Sequence, residues 1–185
     1  MKMIDYFYLM IKSMMNLCIS EYIKPTPKKI AKEAVELTYH LLTENGYQEL
    51  ENLSRLEPCC GNGVFIDALI DYFAGVEVDI EAFEINDKVN KFLERKYSGV
   101  SCVDICNEDY LLSSTEDKYD VIVGGLPFED EIIDKFIKHS LMKCYLICCF
   151  VVPINYECKY KTMIEIKYEK KNLKTIAIWH NEERI

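Results

Sequence analysis

From about residue 50 onward, short apolar runs alternate with segments whose apolar positions recur every three or four residues. Leu53–Leu56 reads as a strand and Val64–Phe73 as a helix. Val78–Ile85 contains a second strand, and a helix capped by Asn86 or Asp87 runs to about Tyr97. Val100–Val103 and Tyr119–Val123 read as further strands, followed by a helix from about Glu129 to Leu141 and a fifth strand over Tyr145–Val152. Strands that are apolar on every residue are buried on both faces, as in parallel sheets. Strand–helix alternation of this kind predicts an α/β, Rossmann-like doubly wound sheet with helices on both faces. The end breaks the pattern. Thr162–Tyr168 and Leu173–Trp179, with Lys170–Asn172 between them, predict an antiparallel hairpin at the carboxyl-terminal edge.

The amino-terminal part is helical in pattern. Phe7, Met10, Ile11, Met14 and Leu17 fall on one face of an amphipathic helix over Met1–Ile19. Asp5, Lys12 and Asn16 make that stretch too polar to span a membrane, and no small-residue cleavage site follows it. Pro25 and Pro27 interrupt the chain. A second helix is expected from Pro27, with proline in its first turn. It carries Ile30, Ala34, Leu37 and Leu41 inward and ends at Asn45–Gly46. A length of 185 residues suits one domain, with helices over 1–45 and a ligand-binding core over 50–185.

Nine cysteines without a secretory signal point to reduced thiols and an intracellular, cytoplasmic or nuclear setting. Cys102 and Cys106 come nearest to metal spacing but have no second pair, and His40, His139 and His180 stand alone, so no metal site is expected. The net charge of −9 makes the chain as a whole a poor partner for phosphate backbones. Two lysine-rich stretches, Lys24–Lys32 flanked by Glu21 and Glu33 and Lys159–Lys174 interleaved with Glu165 and Glu169, read at least equally well as solvated faces.

The residues with chemical content lie at strand ends. Glu57-Pro58-Cys59-Cys60-Gly61-Asn62-Gly63 joins the first strand to its helix. Glycines there allow a ligand to approach the backbone closely. The third glycine of a pyrophosphate loop is missing and an acid precedes the pair, which suits a cationic ligand better than a diphosphate. Glu84, at the end of the second strand, stands where an acid can bind both hydroxyls of a ribose.

This segment resembles the first motif of S-adenosylmethionine (SAM)-dependent methyltransferases, in the form found in amino-methyltransferases acting on adenine. Further stretches agree in order over roughly residues 20–155. Tyr22–Ala31, with Thr26-Pro27, is similar to the segment preceding that motif. Phe83-Glu84-Ile85 resembles the ribose-binding motif, and Glu108-Asp109-Tyr110-Leu111 the acidic turn at the SAM adenine. Tyr119 to Phe128 resembles the catalytic strand and loop, with Gly125-Leu126-Pro127-Phe128 closest to the Leu-Pro form of ribosomal RNA adenine dimethylases.

The resemblance implies SAM as cofactor. Thr26, Glu57, Pro58, Gly61, Asn62, Gly63, Glu84, Ile85, Asp109 and Tyr110 are then its binding positions. Glu57 would face the methionine end, Glu84 the ribose and Asp109 the adenine amine. Leu126, Pro127 and Phe128 would present a target base in RNA or DNA. Gly125 departs from the pattern. The family carries Asn or Asp there, whose side-chain oxygen accepts a hydrogen bond from the target amine, together with a neighbouring backbone carbonyl. Losing one positioned hydrogen-bonding group costs about 10²–10³ in rate. Glu129, Asp130, Glu131 and Asp134 then line the expected path of the phosphate backbone, although acids in a first helical turn equally serve the helix dipole. A rival reading therefore stands beside the enzyme: a catalytically degenerate scaffold subunit of a protein or ribonucleoprotein complex. A third reading is a methyltransferase for a protein or small molecule.

Overall fold

The computed structural model describes residues 25–74, 76–162 and 164–179. The amphipathic segment expected over Met1–Ile19, together with Lys24 and His180, lies outside them. Helix α1 (Lys28–Glu44) starts one residue later than expected. Pro27 is its N-cap, and the Pro27 carbonyl accepts the Ile30 and Ala31 N–H groups at 2.9 and 3.1 Å. A residue with no N–H serves well there, because a helix start leaves its first donors without intrahelical partners. Ile30, Ala31, Ala34, Val35 and Tyr39 are buried along its inner face. Gly46 adopts the left-handed φ of 86° that ends the helix.

The core follows as β1 (Arg55–Glu57), α2 (Val64–Tyr72), β2 (Ile80–Phe83), α3 (Asp87–Lys96), β3 (Val103–Cys106), β4 (Tyr119–Gly125), α4 (Asp130–Lys143), β5 (Cys144–Pro153), β6 (Ile164–Tyr168) and β7 (Leu173–Trp179). All seven strands form one sheet in the order β3-β2-β1-β4-β5-β7-β6. The first five are mutually parallel, and β7 runs antiparallel to both β5 and β6. Only β7 is therefore reversed. The expected hairpin is present, with Asn172 left-handed (φ 53°) at its turn, and its second strand is inserted between β5 and β6. This is the doubly wound, Rossmann-like arrangement.

The sheet has an apolar layer on each face. One contains Ala34 and Val35 of α1, Phe65 and Leu69 of α2, and Val89 and Leu93 of α3, against Val121, Val123 and Cys149. The other contains Ile133 and Ile137 of α4 against Leu56, Ile122, Cys148 and Phe150. Adjacent residues such as Cys148 and Cys149 thus serve opposite layers, as a period of two requires. The central strands are apolar throughout because both their faces are covered.

Among the boundaries that differ from the sequence expectation, two have an evident cause. The apolar run Val100–Val103 is a turn leaving α3: the Val100 N–H bonds to the Tyr97 carbonyl and the Val103 N–H to the Val100 carbonyl. The strand starts only at Val103. Helix α4 continues to Lys143, because Ser140 and Lys143, both buried, find polar partners. Ser140 Oγ is 2.9 Å from Tyr110 Oη, and Lys143 Nζ donates to Ser113 Oγ at 2.9 Å.

At the base of β1 sits a buried cation. Arg55 is 1% exposed, with Nε donating to Tyr39 Oη at 2.7 Å and the two terminal nitrogens donating to the Leu53 and Leu50 carbonyls. Its guanidinium lies 4.5 Å from the Phe73 ring centroid. It ties α1, α2 and β1 together without a carboxylate partner among the described residues. Tyr39→Phe leaves the buried Nε–H without an acceptor. The variant is expected to lose about 1–3 kcal/mol of stability, read as a lower urea midpoint at unchanged slope.

Candidate functional site

Strands β1 and β4 are neighbours, but the chain leaves them in opposite directions across the sheet. Such a switch point opens a crevice at the carboxyl ends of the strands. The crevice here is an open cleft, and its lining includes Thr26, Glu57, Gly61, Asn62, Gly125 and Leu126.

The loop after β1 is fixed from several sides. The Cys60 N–H bonds to the Phe83 carbonyl of β2 (2.9 Å), and the Gly63 N–H to the Cys60 carbonyl (2.7 Å). Gly61 and Gly63 are left-handed, with φ of 52° and 77°. Gly63 is also a close approach, since a Cβ there would lie 2.3 Å from Tyr97 Oη. That hydroxyl is 2.8 Å from both the Gly63 carbonyl and Asp67 Oδ1. Lys96 Nζ donates to the Asn62 carbonyl at 3.0 Å and pairs with Asp67 Oδ2 at 2.8 Å. Helix α3 thereby holds the loop against the start of α2.

Glu57 lies under this loop at the floor of the cleft. It is 1% exposed, and its Oε2 has no hydrogen-bond partner. Burial pushes its carboxyl well above the usual glutamate range. The Ile66 amide and the Lys96 charge oppose that shift only in part, and nearby Glu84 and Asp67 add to it. A carboxylate in such a place is costly unless a cation or donor meets it.

Glu84 lies at the end of β2 with both oxygens already engaged. Oε2 accepts the Gly61 N–H at 3.0 Å, and Oε1 accepts the Asn86 N–H at 2.8 Å. Burial raises its carboxyl, and these two backbone donors counteract the rise. Asn107 donates to the Glu84 carbonyl at 3.0 Å, joining the β3 end to the same corner. Ile85 is 65% exposed beside it. Asp109 accepts the Leu111 N–H at 3.0 Å and caps a short 3-10 turn. Tyr110 points into the core. Its ring stacks on Phe136 and meets Phe83 edge-on, so its side chain has no access to the cleft.

At the end of β4, the Leu126 N–H bonds to the Val151 carbonyl, and Leu126 is buried. Cys59 Sγ donates to the Gly125 carbonyl at 3.2 Å. Phe128 is 38% exposed beyond the loop. A Cβ on Gly125 would lie 2.3 Å from Thr26 Oγ1 and 3.2 Å from the Phe65 ring. Of the residues singled out in the sequence, the cleft gathers Thr26, Glu57, Gly61, Asn62, Gly125 and Leu126. Pro58, Gly63 and Glu84 buttress the loop. Ile85, Asp109, Pro127 and Phe128 stand outside the cleft, and Tyr110 in the core. The roles of Cys59, Lys96, Tyr97 and Asn107 carried no signal in the sequence, because each acts through a backbone carbonyl.

Several surface lysines are paired with acids within the chain. Lys29 pairs with Glu33 and Lys32 with Asp71 (3.6 and 2.7 Å). Lys167 and Lys174 both pair with Glu165, and Lys159 with Asp134. Asp130 and Glu131 occupy the first turn of α4, where they favour the helix dipole. Among the described residues, no group of three or more His, Cys, Asp and Glu side chains is arranged to hold a metal ion, and no helix is long and apolar enough to cross a membrane. Eight described cysteines are free thiols.

No protein-family model matches the chain. Over 103 residues, 56% of this chain, it is 32% identical to the modification methylase CviBIII of Paramecium bursaria Chlorella virus NC1A, and the match spans 25% of that protein. The chain therefore covers about a quarter of the curated relative it matches. Among solved structures it is similar to an RNA methyltransferase from Salinibacter ruber in complex with S-adenosyl-L-homocysteine. The TM-score is 0.66 at 13% identity, over 88% of this chain and 97% of that one. The magnesium protoporphyrin IX methyltransferase of Synechocystis, with bound SAM, gives 0.62 at 12% identity over 85% and 86%. The 23S rRNA methyltransferase ErmE gives 0.53 at 21% identity over 69% and 47%. These likenesses establish the Rossmann-like fold of class I SAM-dependent methyltransferases.

Glu57→Gln removes the ionisable group while keeping its shape. A carboxyl raised by folding gives the native state an advantage that is complete below the ordinary glutamate range, about 4.3. That advantage is lost as pH rises towards the elevated folded value. The variant is expected to match the wild type in acid and to exceed it in stability increasingly as pH rises. Urea midpoints measured across pH check the divergence.

Proposed function

We propose that the chain is the SAM-binding catalytic core of an amino-methyltransferase acting on adenine in RNA or DNA. The observation that carries this reading is the orphaned Glu57 Oε2, buried at the floor of a cleft that opens at the β1/β4 switch point. SAM fits the donor set. Its methionine end carries an ammonium that meets the Glu57 carboxylate, and the left-handed Gly61 lets the ligand lie close to the backbone. Glu84 retains a lone pair on each oxygen for the ribose hydroxyls, and Asp109 stands near the end of β3 for the adenine amine. When bound, SAM supplies an electrophilic methyl group on a sulfonium.

The remaining work belongs to the protein and is mainly positional. Glu57 holds the cationic end. The clamp of Lys96 and Tyr97 keeps the loop rigid, and Phe128 offers an aromatic face to a flat base. Fold alone does not select the substrate, since a similar structure belongs to a magnesium protoporphyrin IX methyltransferase. Support for a nucleic-acid target comes from the 32% identity to a DNA modification methylase and from the loop Leu126-Pro127-Phe128. The acids after this loop serve α4, and five of the nine described lysines of the two basic stretches are paired within the chain. Nucleic-acid affinity is therefore supplied in part by a partner or by chain segments beyond the described core. The free thiols support an intracellular setting.

The scaffold alternative draws on one observation, the absence of a side-chain acceptor at Gly125. Incubation with methyl-tritiated SAM and either total RNA or genomic DNA separates the two readings. The expected result is label in methylated adenosine after nuclease digestion, reduced at least about tenfold by Glu84→Ala through loss of ribose contacts. Tight cofactor binding with no label in any nucleoside would overturn the nucleic-acid reading, and no label in the protein or small-molecule fraction of a cell extract either would identify the scaffold.

A further inference from the structure

We propose that the Thr26 hydroxyl replaces the side-chain oxygen that Gly125 lacks, and that it is the acceptor that receives the target amine. This rests on the amino-methyltransferase reading above.

The space beside Gly125 is filled. A Cβ built there would lie 2.3 Å from Thr26 Oγ1. In an asparagine, standard bond lengths put the side-chain carbonyl oxygen ~2.4 Å from its own Cβ. The Thr26 oxygen therefore lies at the radius from that point which the missing amide oxygen would occupy. Gly125 is absent from the glycines with positive φ, so backbone conformation does not demand glycine there. Room does, because a side chain there would displace Thr26 Oγ1 and press on the Phe65 ring.

Thr26 is suited to the task. It lines the same cleft as Glu57, Gly125 and Leu126. Among the described residues its hydroxyl makes no hydrogen bond. A hydroxyl offers two acceptor lone pairs. Pro25 and Pro27 flank it and restrict the local backbone, and its β-branch restricts χ1. An oxygen held this way is pre-organised, as an acceptor that orients an amine must be. The Gly125 carbonyl is engaged by the Cys59 thiol, and Thr26 Oγ1 is the side-chain oxygen nearest to a Cβ at Gly125.

The test compares two ligands by calorimetry. One is S-adenosylhomocysteine. The other is a bisubstrate probe in which the N6 amine of adenosine, retaining one N–H, is tethered to the cofactor's 5′ position. The quantity read is the ratio of their affinities. The wild type is expected to bind the probe about tenfold or more tightly than S-adenosylhomocysteine. Thr26→Val should collapse that ratio and Thr26→Ser should keep it. The swap Thr26→Ala with Gly125→Asn should restore it. A ratio unchanged in Thr26→Val overturns the proposal, and so does a wild type that gains nothing from the tethered adenosine. Equal loss of both ligands in Thr26→Val would make Thr26 a cofactor contact only, and overturns it as well. A folded wild type that binds neither ligand fails at the earlier step and sinks the methyltransferase reading itself.

Discussion

The pairing of β1 with β4 is the contact on which the site depends. Arg55 faces Val121 and Leu56 faces Ile122 in parallel register. A side-chain knot locks that register from below. The Ser54 N–H and hydroxyl both donate to Asp120 Oδ2 at 2.8 Å, and the same hydroxyl accepts the Asp120 N–H at 2.9 Å. Two strands distant in sequence are thus brought to end side by side, which sets Glu57 beside Gly124 and Gly125. A slip of one residue would turn Glu57 to the opposite face of the sheet.

Above this pair the chain concentrates features that a stable fold would otherwise avoid: two left-handed glycines, a buried carboxylate with one bare oxygen, and a strand end whose side chain has been removed. The neighbours compensate for the first by clamping the loop through Tyr97, Lys96 and Glu84. They leave the second uncompensated. Local conflicts of this kind are expected where function, not stability, has set the residue.

Much of the architecture was legible in the sequence because buried parallel strands leave uninterrupted apolar runs, as over Tyr119–Val123 and Tyr145–Val152. The glycine loop was legible because left-handed backbone demands glycine. The start of β3 was not, since Val100 is apolar in a turn just as it would be in a strand, and only the bonds back to α3 decide. Tyr110 sits in a motif that suggested a ligand contact, yet its ring fills the layer beneath α4. Sequence spacing gives no side-chain direction across a turn. The insertion of β7 between β5 and β6 follows from sheet pairing alone. The meeting of Thr26 with Gly125 was also hidden. Each residue belonged to a recognised segment, but the glycine looked like a deletion of function until the structure showed what occupies its space.

The central claim is that the bare Glu57 oxygen is the seat of a cation on the ligand. Calorimetry with S-adenosylhomocysteine and with 5′-methylthioadenosine tests it directly, because the second keeps the nucleoside and thioether but lacks the amino-acid end. The account predicts that S-adenosylhomocysteine binds at least about a hundredfold more tightly, as expected for a charge-assisted contact to a buried carboxylate, and that Glu57→Gln erases most of that difference. Equal affinity for the two ligands, or a preference that survives Glu57→Gln, would contradict it.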